Sequence, residues 1–280
     1  MRAWRRFRRH TPAMVGLAVL LVFALLAIVA PWVSPHDPVR QDLINSLQTP
    51  SGEYWFGTDH LGRDILTRIL FGTRISLLIG VVAVALGMAV GIPLGVVAGY
   101  YRGWPDMVIS RITDILFAFP AILLALALVA ILGVGLQNVI VAVGVSMVPI
   151  FIRIVRGSVL SIREETYVEA ARAVGAGPLR ILWRHVLANA WAPIIVQATV
   201  GVGITILLAA GIGFLGLGVQ APTPEWGSML GEGRRYIFSH AHMTTFPGIA
   251  IFLAVLAFNL LGDGLRDALD PRLRTVEARQ

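Results

Sequence analysis

Long apolar stretches separated by short polar ones set the pattern of this chain. Met14 to Val33 is apolar, and about 20 such residues cross a bilayer core. Ile75 to Tyr101 contains no charged residue. Further apolar stretches run over 107–132, 139–155, 191–215 and 243–261. No residue from Ile115 to Ile152 or from Val186 to Pro224 is charged. The pattern predicts an all-α polytopic membrane protein with six transmembrane helices.

The polar stretches divide the chain further. Residues 1–13 carry Arg2, Arg5, Arg6, Arg8 and Arg9 and no acid, which predicts a cytoplasmic N-terminus. Arginines before an apolar run also describe a signal peptide, but Pro31 stands where cleavage would fall, so 14–33 reads as an uncleaved first span. Residues 34–74 contain Pro35, Pro38 and Pro50 and predict an extracytoplasmic loop. Ile65, Ile69 and Leu70 suggest an interfacial helix at its end. A core of five spans follows over 75–262, including an inner loop over 156–190, and then a cytoplasmic tail over 263–280. With this topology the inner segments hold 17 of the 23 arginines and the outer ones hold Arg40, Arg63, Arg68, Arg74, Arg234 and Arg235. That bias supports the orientation.

Composition narrows the class. Hydrophobic residues make up 56% of the 280 positions and charged ones 14%, against about 25% in soluble domains. The chain has no cysteine, hence no disulfide and no thiolate metal site. Every basic residue other than histidine is arginine; without lysine, neither a P-loop ATPase nor a Schiff-base enzyme is possible. The net charge of +7 sits at the ends of apolar runs, a membrane distribution rather than a nucleic-acid one.

Within the spans, Ala83, Gly87, Gly91, Gly95 and Gly99 recur every fourth residue and predict a helix-packing stripe. Pro93 and Pro120 predict kinks. Arg111 and Asp114 share a helix face and are expected to pair. There is no HExxH, no G-x-S-x-G and no acidic pair inside a span. His240 and His242 lack a third ligand in sequence and read as loop histidines, so no metal is expected.

One polar segment interrupts the apolar half. Arg153 to His185 holds six arginines, three glutamates and a histidine. Tyr167, Ala170, Ala171 and Val174 recur at helical spacing, Gly175 and Gly177 can end that helix in the left-handed conformation, and Pro178 can open another. Ile181, Leu182 and His185 give the second helix a face. Such a helix–glycine–helix is either a docking piece or a plain connector.

The residues Glu169-Ala170-Ala171, three more, then Gly175 resemble the cytoplasmic EAA loop of ABC importer permeases. Where the family pattern ends in aliphatic-Leu-Pro, Val186-Leu187-Ala188 stands here, without the proline. Phe56-Gly57-Thr58-Asp59, Gly62-Arg63-Asp64 and Gly72 to Leu77 resemble the dipeptide/oligopeptide/nickel permeases of the "C" subunit type. So do Phe214 to Gly218 with Gln220 and Trp226-Gly227, and Asn259 to Arg272. The resemblance implies a type I, MetI-like permease fold in a bacterial or archaeal cell membrane. It also implies a homologous second permease, two ATPase subunits that bind ATP and magnesium, and an extracytoplasmic solute-binding protein. This chain itself would be no enzyme and would hold no cofactor. Tyr167, Glu169, Ala170, Ala171, Gly175, Pro178 and Leu179 would couple it to the ATPases, and the solute would be a dipeptide or oligopeptide. Nickel or another small solute is the alternative; a membrane enzyme or a scaffold fits less well.

The six-span reading is directly testable, because the chain has no native thiol. A cysteine at Ser51 or Ser228 should react with an impermeant thiol reagent from outside, and one at Ser161 or Thr275 should not. Labelling of Ser161→Cys from outside would overturn the topology.

Overall fold

The structure is a computed structural model that describes residues 2–269. The far part of the expected tail, from 270 on, lies outside the described residues, as does the Arg272 end of the C-terminal motif. Regular structure among the described residues is helical: α1 (Arg2–Arg9), α2 (Thr11–Val33), α3 (Ile65–Tyr101), α4 (Trp104–Phe117), α5 (Ala121–Leu132) and α6 (Leu136–Ile162). These are followed by α7 (Thr166–Ala173), α8 (Pro178–Ile181), a π-helical turn (Leu182–Leu187), α9 (Ala188–Phe214), α10 (Trp226–Gly233) and α11 (His242–Leu269).

The glycine stripe packs α3 against α6. A Cβ at Gly87 would stand 2.6 Å from Met147 Cβ, at Gly91 2.5 Å from Phe151 Cβ, and at Gly95 or Gly99 2.8 Å from Val155 Cβ or Val159 Cβ. None of these separations is sterically possible, so only glycine admits this approach. Gly144 returns the favour on α6, where an added Cβ would be 3.0 Å from Leu86 Cβ. The partners also rise by four on α6, so the fit is four against four along the two helices.

The order of these contacts fixes direction. Residues 87, 91, 95 and 99 meet 147, 151, 155 and 159 in the same sequence, so α3 and α6 run parallel. The intervening chain must cross back, and α4 with α5 is what lies between. By the same logic α9 is antiparallel to α3, because Gly80 meets Ile206 while Val84 meets Gly201. α11 is antiparallel to α9, because Gly203 meets Val255 and Phe258 while Val200 meets Gly262. α2 is antiparallel to α11, because Gly16 meets Ala257 while Ala13 meets Gly264. Five helices are long and apolar enough to cross a membrane alone, and the bent α4–α5 pair makes the sixth crossing. Six alternating crossings bring α1, the α6–α9 connection and the end of α11 to one end of the bundle. Segment 34–64 and α10 stand at the other.

Several expectations need correction. No separate interfacial helix precedes the second span. Asp64 caps α3 by accepting from Thr67 N (2.9 Å) and Thr67 Oγ1 (2.6 Å), and nothing breaks the helix over its 37 residues. At 1.5 Å per residue α3 is about 55 Å long, so its first turns project beyond the hydrocarbon. Pro93 lies inside α3 without ending it. The third span is not one kinked helix over 107–132 but two helices meeting at 90°, broken at Ala118 to Pro120, because Pro120 has no N–H and forces Phe119 out of helical geometry. Asp114 does not pair with Arg111. It meets Arg153 of α6 at 3.4 Å, and Arg153 also lies 3.9 Å over the Phe117 ring. Both side chains are exposed, so this pair contributes little. α11 continues through residue 269, past the expected start of the tail.

At the 34–64 end the packing is polar. Pro31 of α2 offers no N–H to the Ala27 carbonyl, and Arg74 Nε fills that role, with Nη2 on Ile28 O at 3.1 Å. Trp226 is wholly buried and donates its indole N–H to Ile69 O at 3.1 Å. Glu225 caps α10 by accepting from Gly227 N and Ser228 N, each at 2.8 Å. Gly227 lets α10 lie on α9, since a Cβ there would be 2.4 Å from Ala210 Cα.

Two alanine substitutions check the seam. Gly91→Ala should destabilise the purified chain by about 1–3 kcal/mol or more, because backbone must move. Gly157→Ala in α6 meets open space and should be neutral or stabilising. Equal thermal denaturation of the two variants in detergent would contradict the seam.

Candidate coupling loop

The connection between α6 and α9 begins where the α3/α6 seam ends. Arg163, just past α6, donates from Nη1 to Tyr100 O (2.7 Å) and Gly99 O (3.4 Å), filling carbonyls at the C-terminus of α3. Arg102 pairs with Glu164 at 2.8 Å. Tyr100 donates its hydroxyl to Pro178 O at 3.1 Å, so the loop's turn is tied to the same helix end.

The first loop helix, α7, ends on a Schellman turn. Gly175 has φ +82°, Ala176 N donates to Ala171 O (3.0 Å) and Gly175 N to Arg172 O (2.9 Å). Gly177 differs from expectation. Its φ of −66° and ψ of 155° are extended, and it precedes Pro178 at the first position of α8. Only Gly175 uses the left-handed region.

Val168 is the fully buried residue of α7, and it packs with Val155, Val159, Ile181 and Val186 at the bundle end. Ala171 is half-buried against the same cluster. Tyr167, Glu169, Ala170, Gly175, Pro178 and Leu179 are exposed. Leu179 is 66% exposed, and two residues that spacing did not single out for exposure, Val174 and Trp183, are 84% and 67% exposed. Burial raises the Tyr167 hydroxyl above its ordinary pKa, with Glu165 adding to the rise. An apolar inner face thus anchors the pair of helices, while Val174, Leu179 and Trp183 are left outward among Glu169, Arg172, Arg180 and Arg184, a mixed apolar and charged surface suited to docking.

The second loop helix has no end of its own. α8 passes through the π turn at Leu182–Leu187 directly into α9, giving one 37-residue helical run from Pro178 to Phe214. The absent proline noted in the sequence therefore marks no terminus. Asn189 Nδ2 donates to His185 O at 2.7 Å where the ladder changes register. The loop is therefore continuous with α9.

The two outer-loop histidines stand with rings 6.0 Å apart. His242 Nε2 lies 3.2 Å from Thr58 O and His240 Nδ1 3.0 Å from Ser239 Oγ, so each has a protein partner. The ligand atoms of Asp59, His60 and Glu232 do come within 4.8 Å of one another. However, Arg63 lies 2.6 Å from both carboxylates and Arg68 3.6 Å and 3.5 Å from them, so guanidinium groups already occupy that place.

A six-crossing bundle with an exposed helical loop at one end is the architecture of a membrane permease subunit, the class to which the family match assigns the chain. The chain belongs to the family described as binding-protein-dependent transport system inner membrane components, whose model matches residues 91–275. Residues 1–50 match the N-terminal transmembrane domain of oligopeptide transport permease C. The chain is 52% identical over 273 residues to the dipeptide transport system permease protein of Alkalihalophilus pseudofirmus, covering 98% of this chain and 90% of that protein. It is 51% identical over 276 residues to the glutathione transport system permease protein of Pectobacterium atrosepticum, covering 97% and 91%. A permease chain in inward facing conformations of the MetNI methionine ABC transporter shares the fold, with a TM-score of 0.62 at 23% identity, over 74% of this chain and 98% of that one. In this family the ATP is hydrolysed by separate subunits, in keeping with the absence of lysine here.

The Schellman turn gives a local test. No atom lies within 4 Å of a Cβ at Gly175, so Gly175→Val costs only the backbone term, about 1–2 kcal/mol. Gly175→Asn, which tolerates this conformation, should cost less. Trypsin should cut at Arg172 and Arg180 several-fold faster in the valine variant than in the asparagine one; equal rates would show that the turn does not depend on its φ.

Proposed function

We propose that this chain is one of two homologous pore-forming subunits of an ATP-driven importer, with two ATPase subunits below it and a solute-binding protein above. The orientation puts both termini and the α6–α9 loop in the cytoplasm, supported by the alternating helix directions and by the arginine bias of the inner segments. The solute is a short peptide of dipeptide to glutathione size. Relatives at 51–52% identity over nearly the whole chain are named for dipeptide and glutathione transport, which favours peptides over nickel.

The observation that carries the coupling role is the pairing of a buried anchor with an exposed face. Val168 and Ile181 seat the loop on α3 and α6, while Glu169, Val174, Leu179 and Trp183 point away. A cleft in an ATPase subunit would receive the apolar side chains, and Glu169 would meet a cation or helix N-terminus there. Ala170 would allow close approach. Motion of the ATPase would then enter α9 through the unbroken helix and α3 through Tyr100 and Arg163.

The test is a pull-down of the ATPase subunits with Glu169→Lys and Leu179→Asp permeases, beside peptide uptake in proteoliposomes. Both variants should insert and fold, since neither side chain is buried, yet retain the ATPase at least about tenfold more weakly and lose uptake. Normal retention with normal uptake would make the loop a plain connector.

A further inference from the structure

We propose that a cavity at the outer end of α9 is a subsite for the carboxylate of the transported solute; this rests on the peptide-import reading above. The cavity measures about 340 Å³ and lies between the last turn of α9, α10 and the segment before α3. That volume is at the small end of ligand pockets and suits a short peptide. Its walls include His60, Gln220, Glu232, Arg234, Arg235 and Tyr236.

Charge decides what it would hold. Beneath it, the buried guanidinium groups of Arg63 and Arg68 are matched by the carboxylates of Asp59 and Glu232. Those four groups cancel. Arg234 and Arg235 then remain with no carboxylate partner among the described residues. Arg234 gives one N–H to Phe214 O at 3.3 Å, and Arg235 makes no hydrogen bond or ion pair there. His60 stacks on Tyr236 at 6.1 Å, and its Nδ1 is buried without a partner. The cavity therefore presents two arginines and a phenol, with the His60 ring in its wall. An anion with two oxygens fits this set, because each arginine can donate a forked pair of N–H groups. A cation does not, with four guanidinium groups close by.

Position fits as well. Phe214, which lines the cavity, stands at the end of α9 above the partly exposed side chains of Leu207 and Ile204. A solute released over the outer end of the bundle would meet the cavity before it reached those side chains. The cavity would hold the charged end and leave the rest of the peptide, whatever its side chains, toward α9.

The experiment uses the complete importer in lipid nanodiscs, without binding protein, with the permease carrying an environment-sensitive fluorophore on Ala221→Cys and cysteine-free partner subunits. Alanyl-alanine should change the fluorescence saturably, its C-terminal amide about tenfold more weakly, and Arg235→Gln should weaken the free acid about tenfold while barely changing the amide. No saturable change, or equal titrations for acid and amide, would overturn the carboxylate subsite. So would equal titrations by Arg235→Gln and the parent protein. ATP-driven uptake of the same dipeptide by the parent importer with its binding protein is measured separately. Its failure would sink the peptide-import reading, whereas normal uptake with no carboxylate-dependent binding would sink only the subsite.

Discussion

The close approach of α3 to α6 is the constraint on which the rest of the structure depends. In lipid there is no hydrophobic drive to bring helices together, so packing contact must do it. Four glycines of α3 remove every Cβ from one stripe, and the side chains and backbone of α6 move into the space. The resulting seam runs from Gly87 to Gly99 and ends where the α6–α9 loop begins. Because it is parallel, it also dictates topology: a parallel neighbour two helices later requires a crossing in between, and the broken α4–α5 pair has to provide it.

From the seam, fixed contacts lead both ways. At one end Arg163 and Tyr100 tie the loop to the last carbonyls of α3, and Val168 and Ile181 seat it on the hydrophobic end of α3 and α6. At the other end α3 continues past the hydrocarbon and carries Arg63's neighbour Arg68 into the buried charge network with Asp59 and Glu232. Burying four ionised groups is favourable only when each is well paired, and the loss of any one would leave an uncompensated charge. The polar network fixes α10 relative to α3, so the outer cavity and the inner loop are built on the two ends of one helix. A single long α3 therefore positions both the proposed coupling loop and the proposed subsite.

Much of this was legible in the sequence, because hydrophobic length reports spans and recurring glycines report close packing. The ends of the helices were not. Apolar patterning stops where lipid stops, whereas a helix stops at a cap or breaker. Asp64 caps α3 well outside the apolar run, and α8 enters α9 with no breaker between them. Helical spacing grouped Tyr167, Ala170, Ala171 and Val174 but did not point to Val168, which is the buried residue of α7. The outer network was hidden for another reason. Arg63 and Glu232 are 169 positions apart, and no local pattern links them. The exposed residues Val174 and Trp183 carry no sequence signal beyond being apolar in a polar stretch.

The seam can be tested by a pair of cysteines at Leu86 and Gly144. A Cβ at Gly144 would stand 3.0 Å from Leu86 Cβ, so opening by about half an ångström to one ångström reaches disulfide geometry. Mild oxidation of this double variant, in a chain with no other thiol, is followed by maleimide–polymer labelling of the denatured protein. The account predicts rapid, nearly complete protection of both thiols in the folded protein. Two freely labelled thiols after oxidation would mean that α3 and α6 do not touch as described, and the account of the fold would fail with them.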